Sequence, residues 1–100
     1  MARPYSSDFL ASLHTMNPEH VGVQMAKLCV KANLPTLYVA RKLGVSRYTV
    51  HSWFRGQDIR DKNKIKVEAF IKELDKGFVE NIFPVLTLSS AKQYLDSIQI

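Results

Sequence analysis

The stretch Thr36–Gly56, TLYVARKLGVSRYTVHSWFRG, leaves this chain few ways to fold. Thr36–Leu43 reads as a short helix. Gly44 ends it, because glycine takes the left-handed conformation after a helix at least cost. Val45 is the buried turn residue. Ser46 is a good N-cap, so a second helix runs from Arg47 to about Arg55, where Gly56 stops it. Ala40 is small where two helices must approach closely. Leu43, Val45, Val50 and Trp53 face inward together. That leaves Arg47, Tyr48, Thr49, His51 and Ser52 on the outer face of the second helix.

The AxxLGVSxxTVxxWxxG run from Ala40 to Gly56 resembles the helix-turn-helix of the lambda-repressor-like (Cro-type) DNA-binding family. The resemblance covers about residues 18–76, and its specific part is 36–56. It implies an all-α domain whose second motif helix reads DNA, with phosphates favoured at the helix N-termini near Thr36 and Asn63. Many members open the first motif helix with Gln, which helps to hold phosphate. The matching residue here is Thr36, a departure that touches this contact and not the fold.

Charge supports the same region independently. Residues 41–66 contain eight Lys and Arg against two acids, a net +6, while the whole chain of 100 residues carries +5. The positive excess therefore lies on the second motif helix and the segment just after it. A local basic patch attracts polyanions, and nucleic acid is the obvious one. Arg55, Arg60, Lys62, Lys64 and Lys66 read as phosphate ligands. Each neutralised phosphate steepens the fall of log K with log salt by roughly 0.9.

The outer face of the second motif helix carries the candidate base contacts. A helix fits the major groove of B-DNA, where each base pair shows its own donor and acceptor pattern. Arg47 is the best candidate, since its planar fork can donate twice to the O6 and N7 of guanine. Tyr48 suits a thymine methyl or a phosphate. Thr49 and Ser52 are short enough for close approach, and His51 can donate to a base or a phosphate. The bland readings are a solvated Arg47 and His51, a Tyr48 packed on its own domain, and polar filler at Thr49 and Ser52. Val50 and Trp53 belong to the core.

The rest of the chain reads as helices around this pair. Met1–Tyr5 reads as a short arm, with Arg3 free to touch a phosphate or simply frayed. Ser6 or Ser7 caps a short helix to about His14, with Phe9, Leu10 and Leu13 on one face. Asn17 caps the next helix with Pro18 in its first position. Its stripe is Val21, Met25, Leu28, Cys29 and Ala32, and Asn33 ends it. After the loop Gln57–Lys62, Asn63 or Asp61 caps a helix to about Lys76, with Val67, Phe70, Ile71 and Leu74 inward and Gly77 as its stop. Phe78–Leu86 is apolar, and Pro84 argues against a strand or an unbroken helix. Thr87 or Ser89 caps a last helix with Ala91, Tyr94, Leu95 and Ile98 on one face.

These readings predict an all-α bundle of five or six helices in one domain spanning 1–100, with extensions at 1–17 and 77–100. No apolar run approaches the ~20 residues that a membrane span needs. The single cysteine, Cys29, excludes an internal disulfide and reads as a buried apolar residue. No cofactor or metal is expected, because one Cys and three scattered His do not match zinc spacings. The sequence has no glycine-rich phosphate loop and no H-x-E, H-E-x-x-H or G-x-S-x-G element, which argues against an enzyme.

The expected protein is a cytoplasmic, sequence-specific double-stranded DNA-binding regulator of bacterial or phage type, with repression its simplest action. One helix reads only a few base pairs, and a homodimer through Phe78–Ile100 would add a second half-site. Two alternatives stand beside this reading. One is a protein-interaction module that binds a polymerase or another regulator. The other is nonspecific nucleic-acid binding.

Overall fold

Six helices build the described part of the chain, residues 5–100 of the computed structural model: α1 (Ser7–Leu13), α2 (Val21–Ala32), α3 (Thr36–Leu43), α4 (Arg47–Phe54), α5 (Asp61–Val79) and α6 (Leu88–Ser97). There is no strand among the described residues. The expected all-α bundle is what forms. Helix α2 packs on α5 and α4, and α3 packs on α4 and α6. Met25, Cys29, Leu34, Val39, Leu43, Val50, Phe54, Val67, Phe70 and Leu74 fill the centre. Burial raises the Cys29 thiol well above its usual pKa, so it stays protonated in the core.

Four helices end by one device. Asn33, Gly44, Gly56 and Asn81 each take a left-handed conformation just past the helix. The next residue in each case sends its N–H back along the helix: Leu34 to Cys29 O at 3.0 Å, Val45 to Ala40 O at 3.1 Å, Gln57 to Ser52 O at 3.0 Å and Ile82 to Gly77 O at 2.9 Å. This pairing satisfies carbonyls that a helix end otherwise leaves open. It turns the chain sharply enough to lay successive short helices across one another.

Two helix boundaries differ from the sequence reading. Helix α2 starts at Val21 with His20 as its cap, not at Pro18. The Asn17 side chain instead accepts from Glu19 N at 3.0 Å and closes a separate turn, while His20 Nδ1 accepts from Gly22 N at 3.0 Å. Gly22 governs this start. A Cβ there would lie 2.3 Å from the Trp53 carbonyl oxygen, so α2 and the end of α4 meet backbone to backbone. Helix α5 begins at Asp61, with Arg60 as a cap that makes no side-chain bond, and runs through Gly77 to Val79. Gly77 is a contact residue rather than a stop: a Cβ on it would meet the Phe83 ring at 2.4 Å.

Both ends of the described segment join the core. Tyr5 is buried, and its hydroxyl donates to Leu34 O at 2.6 Å. Its ring lies 5.8 Å from that of Phe9 and 6.3 Å from that of Phe54. The arm expected over Met1–Tyr5 is therefore anchored at Tyr5, and Arg3 lies outside the described residues. At the other end, Val85 N donates to Ala32 O and Asn33 Nδ2 donates to Val85 O, both at 3.0 Å. Phe83 packs 4.9 Å from Phe78 and 4.7 Å from Tyr94. Tyr94, Leu95 and Ile98, expected in a dimer contact, are instead buried in the chain's own core. The large apolar side chains left exposed at this end are Val79, Ile82, Leu86, Leu88 and Ile100.

Candidate nucleic-acid interface

The α3–α4 pair is positioned by local chemistry. Gly44 sits at φ 72° and ψ 30°, a conformation that strains a residue carrying Cβ. Two residues on, the Ser46 hydroxyl caps α4 by accepting from Thr49 N at 3.1 Å. Val50, Trp53 and Phe54 pin the inner face of α4. Phe54 is packed against Phe9 of α1, with ring centroids 6.1 Å apart.

The outer face of α4 is the set read from the sequence, with gradations. Arg47 and Tyr48 are exposed, Tyr48 by 79%. An aromatic ring this free contributes little to the fold. Thr49, His51 and Ser52 are half-buried. The Thr49 hydroxyl is already shared with Ser46 Oγ at 2.9 Å, so Thr49 offers chiefly its methyl group to a ligand. Arg47, His51 and Arg55 succeed one another at four-residue spacing and share a face. Burial first, then the charges of Arg55 and Arg47, lower the His51 pKa below its ordinary value of 6.5. His51 is therefore neutral at pH 7.

The proposed phosphate ligands separate into two groups. Arg55, Arg60, Lys62 and Lys64 are exposed on the end of α4, the adjoining loop and the first turn of α5. Lys66 is turned instead toward the α3 end, where its Nζ donates to Leu43 O at 3.4 Å, so part of its role is to cap that helix. Thr36 is a correction. It is 6% exposed and lies beside the Tyr5 phenol, so its side chain does not present a hydroxyl to a phosphate. Helix α3 opens on Pro35 without a side-chain cap.

Sequence reasoning passed over Ile65. It is 73% exposed between Lys64 and Lys66, an apolar side chain in an otherwise charged stretch. The signal was its place off the Val67–Phe70–Leu74 stripe. Among the described residues no group of His, Cys, Asp and Glu could hold a metal ion, and no helix is long and apolar enough to cross a membrane. No family model, curated protein or solved structure matches the chain.

Proposed function

We propose that this chain binds double-stranded DNA in a sequence-specific way, as a transcriptional regulator of bacterial or phage type. The observation that carries the reading is the outer face of α4. Arg47 and Tyr48 stand free on a helix whose opposite face is locked by Val50, Trp53 and Phe54. Nothing in the packing of the domain needs those two side chains. A helix with its side chains is about 10–12 Å across and the major groove about 12 Å wide, so α4 fits with its N-terminal residues leading. Arg47 would take guanine and Tyr48 a neighbouring thymine methyl or phosphate. Arg55, Arg60, Lys62 and Lys64 would hold the backbone. The resemblance of residues 40–56 to the lambda-repressor-like helix-turn-helix points the same way.

The proposal includes a homodimer, on narrower ground than Phe78–Ile100. Val79, Ile82, Leu86, Leu88 and Ile100 remain exposed there, five of the eight exposed large hydrophobic residues among those described. Half-sites on B-DNA recur at about 34–36 Å. A molecule 30 Å across standing beside its copy is of that scale.

Selection of bound sequences from random duplexes, together with a salt titration, tests the reading. An enriched motif is expected, and a palindrome would report the dimer. Arg47→Ala should remove the preference among sequences, a discrimination of about 1–3 kcal/mol for a bidentate contact. Lys64→Ala should weaken all duplexes alike and lower the salt slope by about 0.9. Equal affinity for every sequence, or no binding at low salt, refutes it.

A further inference from the structure

Helix α1 lies outside the part of the chain that resembles a helix-turn-helix domain, yet it is firmly fixed. Phe9 stacks on Tyr5 and Phe54, and Ser6 caps the helix by accepting from Phe9 N at 3.1 Å. Its other side meets α2 only in part. Between them runs a groove of about 430 Å³ lined by Leu10, Leu13 and His14 from α1 and by Lys27, Val30 and Lys31 from α2. Each helix contributes residues at i, i+3 and i+4, so the two rows run along single faces. Leu10, Leu13 and Val30 are the apolar side chains of the groove. Lys27 and Lys31 stand one turn apart on one wall. None of the residues lining it is acidic.

We propose that this groove docks an acidic amphipathic helix of a partner protein. Both walls are helices whose backbone groups are already paired, so they offer no strand edge to an extended peptide. Recognition must run through side chains. Branched aliphatic anchors fit the apolar lining, and carboxylates placed beside them meet Lys27 and Lys31. Charge complementarity decides the sign: a basic helix would bring its charge against two ammonium groups with no acid to receive it. Helix α1 meets α4 through Phe9 and Phe54, on the inner side of that helix, and none of the residues lining the groove belongs to α4. Its occupant therefore does not compete for Arg47 or Tyr48, and the inference does not depend on the DNA reading.

The test is a titration of the isotopically labelled full chain, monitored by NMR. The probe is a short synthetic amphipathic helix with two leucines at i and i+4, flanked by glutamates. Its counterpart carries lysine at every glutamate. The glutamate peptide should move the amide signals of Leu10, Leu13 and Val30 and saturate, with the lysine peptide at least about tenfold weaker. Lys27→Glu with Lys31→Glu should reverse that order. Lys27→Gln with Lys31→Gln should weaken the glutamate peptide and narrow its lead over the lysine peptide without reversing the order, which gives a second readout if charge reversal perturbs the fold. An unchanged duplex affinity in either variant supports two separate surfaces. Equal binding of both peptides, shifts centred on Arg47 and Tyr48, or no saturable binding would overturn the proposal.

Discussion

Gly22→Ala should destabilise the protein, although helix propensity alone predicts the opposite. Gly22 lies in the first turn of α2, where alanine is favoured over glycine by about 0.5–1 kcal/mol. The new Cβ, however, would sit 2.3 Å from Trp53 O and 2.9 Å from Trp53 C, and ordinary contact begins near 3.4 Å. The helices must part by about 1 Å, that is 3.4 less 2.3. The obstacle is backbone, not a side chain that could rotate away. Trp53 O is also held, since it accepts from Gly56 N at 3.0 Å. Overpacking costs about 1–3 kcal/mol, and a backbone obstacle puts this case at the upper end. After the propensity gain is subtracted, a loss of about 2 kcal/mol remains, or about 8–16 °C in Tm for a domain of this size. Urea denaturation monitored by circular dichroism measures it, with an unchanged m-value showing that the native state alone has shifted. A Gly22→Ala protein as stable as the parent, or more so, would refute the claim that α2 and α4 meet backbone to backbone.

Three further outcomes rest on named contacts. Tyr5→Phe removes the donor to Leu34 O and leaves a buried carbonyl unpaired, which should cost about 1–2 kcal/mol by the same denaturation assay. An unchanged midpoint would mean that Tyr5 is not anchored. His51 has a folded pKa below 6.5, so the unfolded chain takes up the proton first as pH falls. The stability tied to His51 is complete above about pH 6.5 and is lost below it, and His51→Gln should flatten this part of the profile of urea midpoint against pH. Phosphate beside His51 favours its charged form, so duplex affinity should rise between pH 7.5 and 5.5 by more in the parent than in His51→Gln, about tenfold per pKa unit that binding restores. Parallel profiles in a filter-binding or anisotropy assay would remove His51 from the interface.

The exposed face of α4 was legible because the motif constrains its inward residues so heavily. Once Val50 and Trp53 are assigned to the core, Arg47, Tyr48, His51 and Ser52 are what the helix has left over. The same logic finds Gly44, where a turn demands a positive φ and only glycine supplies it cheaply. It cannot find Gly22 or interpret Gly77. A helix-ending glycine and a glycine at a close crossing look alike in sequence. The deciding partner is Trp53 in one case and Phe83 in the other, and neither is marked by periodicity. Asn81, which actually ends α5, sits in an apolar run that hides it. Thr36 and Tyr5 show the limit from the other side: the ring that covers Thr36 comes from a terminal segment that composition marks as an arm.

The C-terminal segment shows why an apolar stripe does not name its partner. Tyr94, Leu95 and Ile98 repeat at helical spacing, and that spacing fits a copy of the chain as well as it fits α3. The structure gives them to the chain itself, and Lys42 Nζ donating to Ile98 O at 2.6 Å ties the end of α6 to α3. The side chains still open to a partner include Val79, Ile82 and Leu86, also at helical spacing (i, i+3, i+7), yet no single helix carries them. Val79 is at the last turn of α5, Ile82 and Leu86 are in the loop, and Leu88 is at the first turn of α6. Exposure, and not spacing, separates the two sets, so the side chains left open once the core is filled are the better place to look for association. Leu86→Lys, at a side chain 72% exposed, should leave the urea midpoint within about 0.5 kcal/mol of the parent and yet shift a dimer toward monomer in sedimentation. An unaltered sedimentation coefficient in a dimeric parent would place the interface elsewhere.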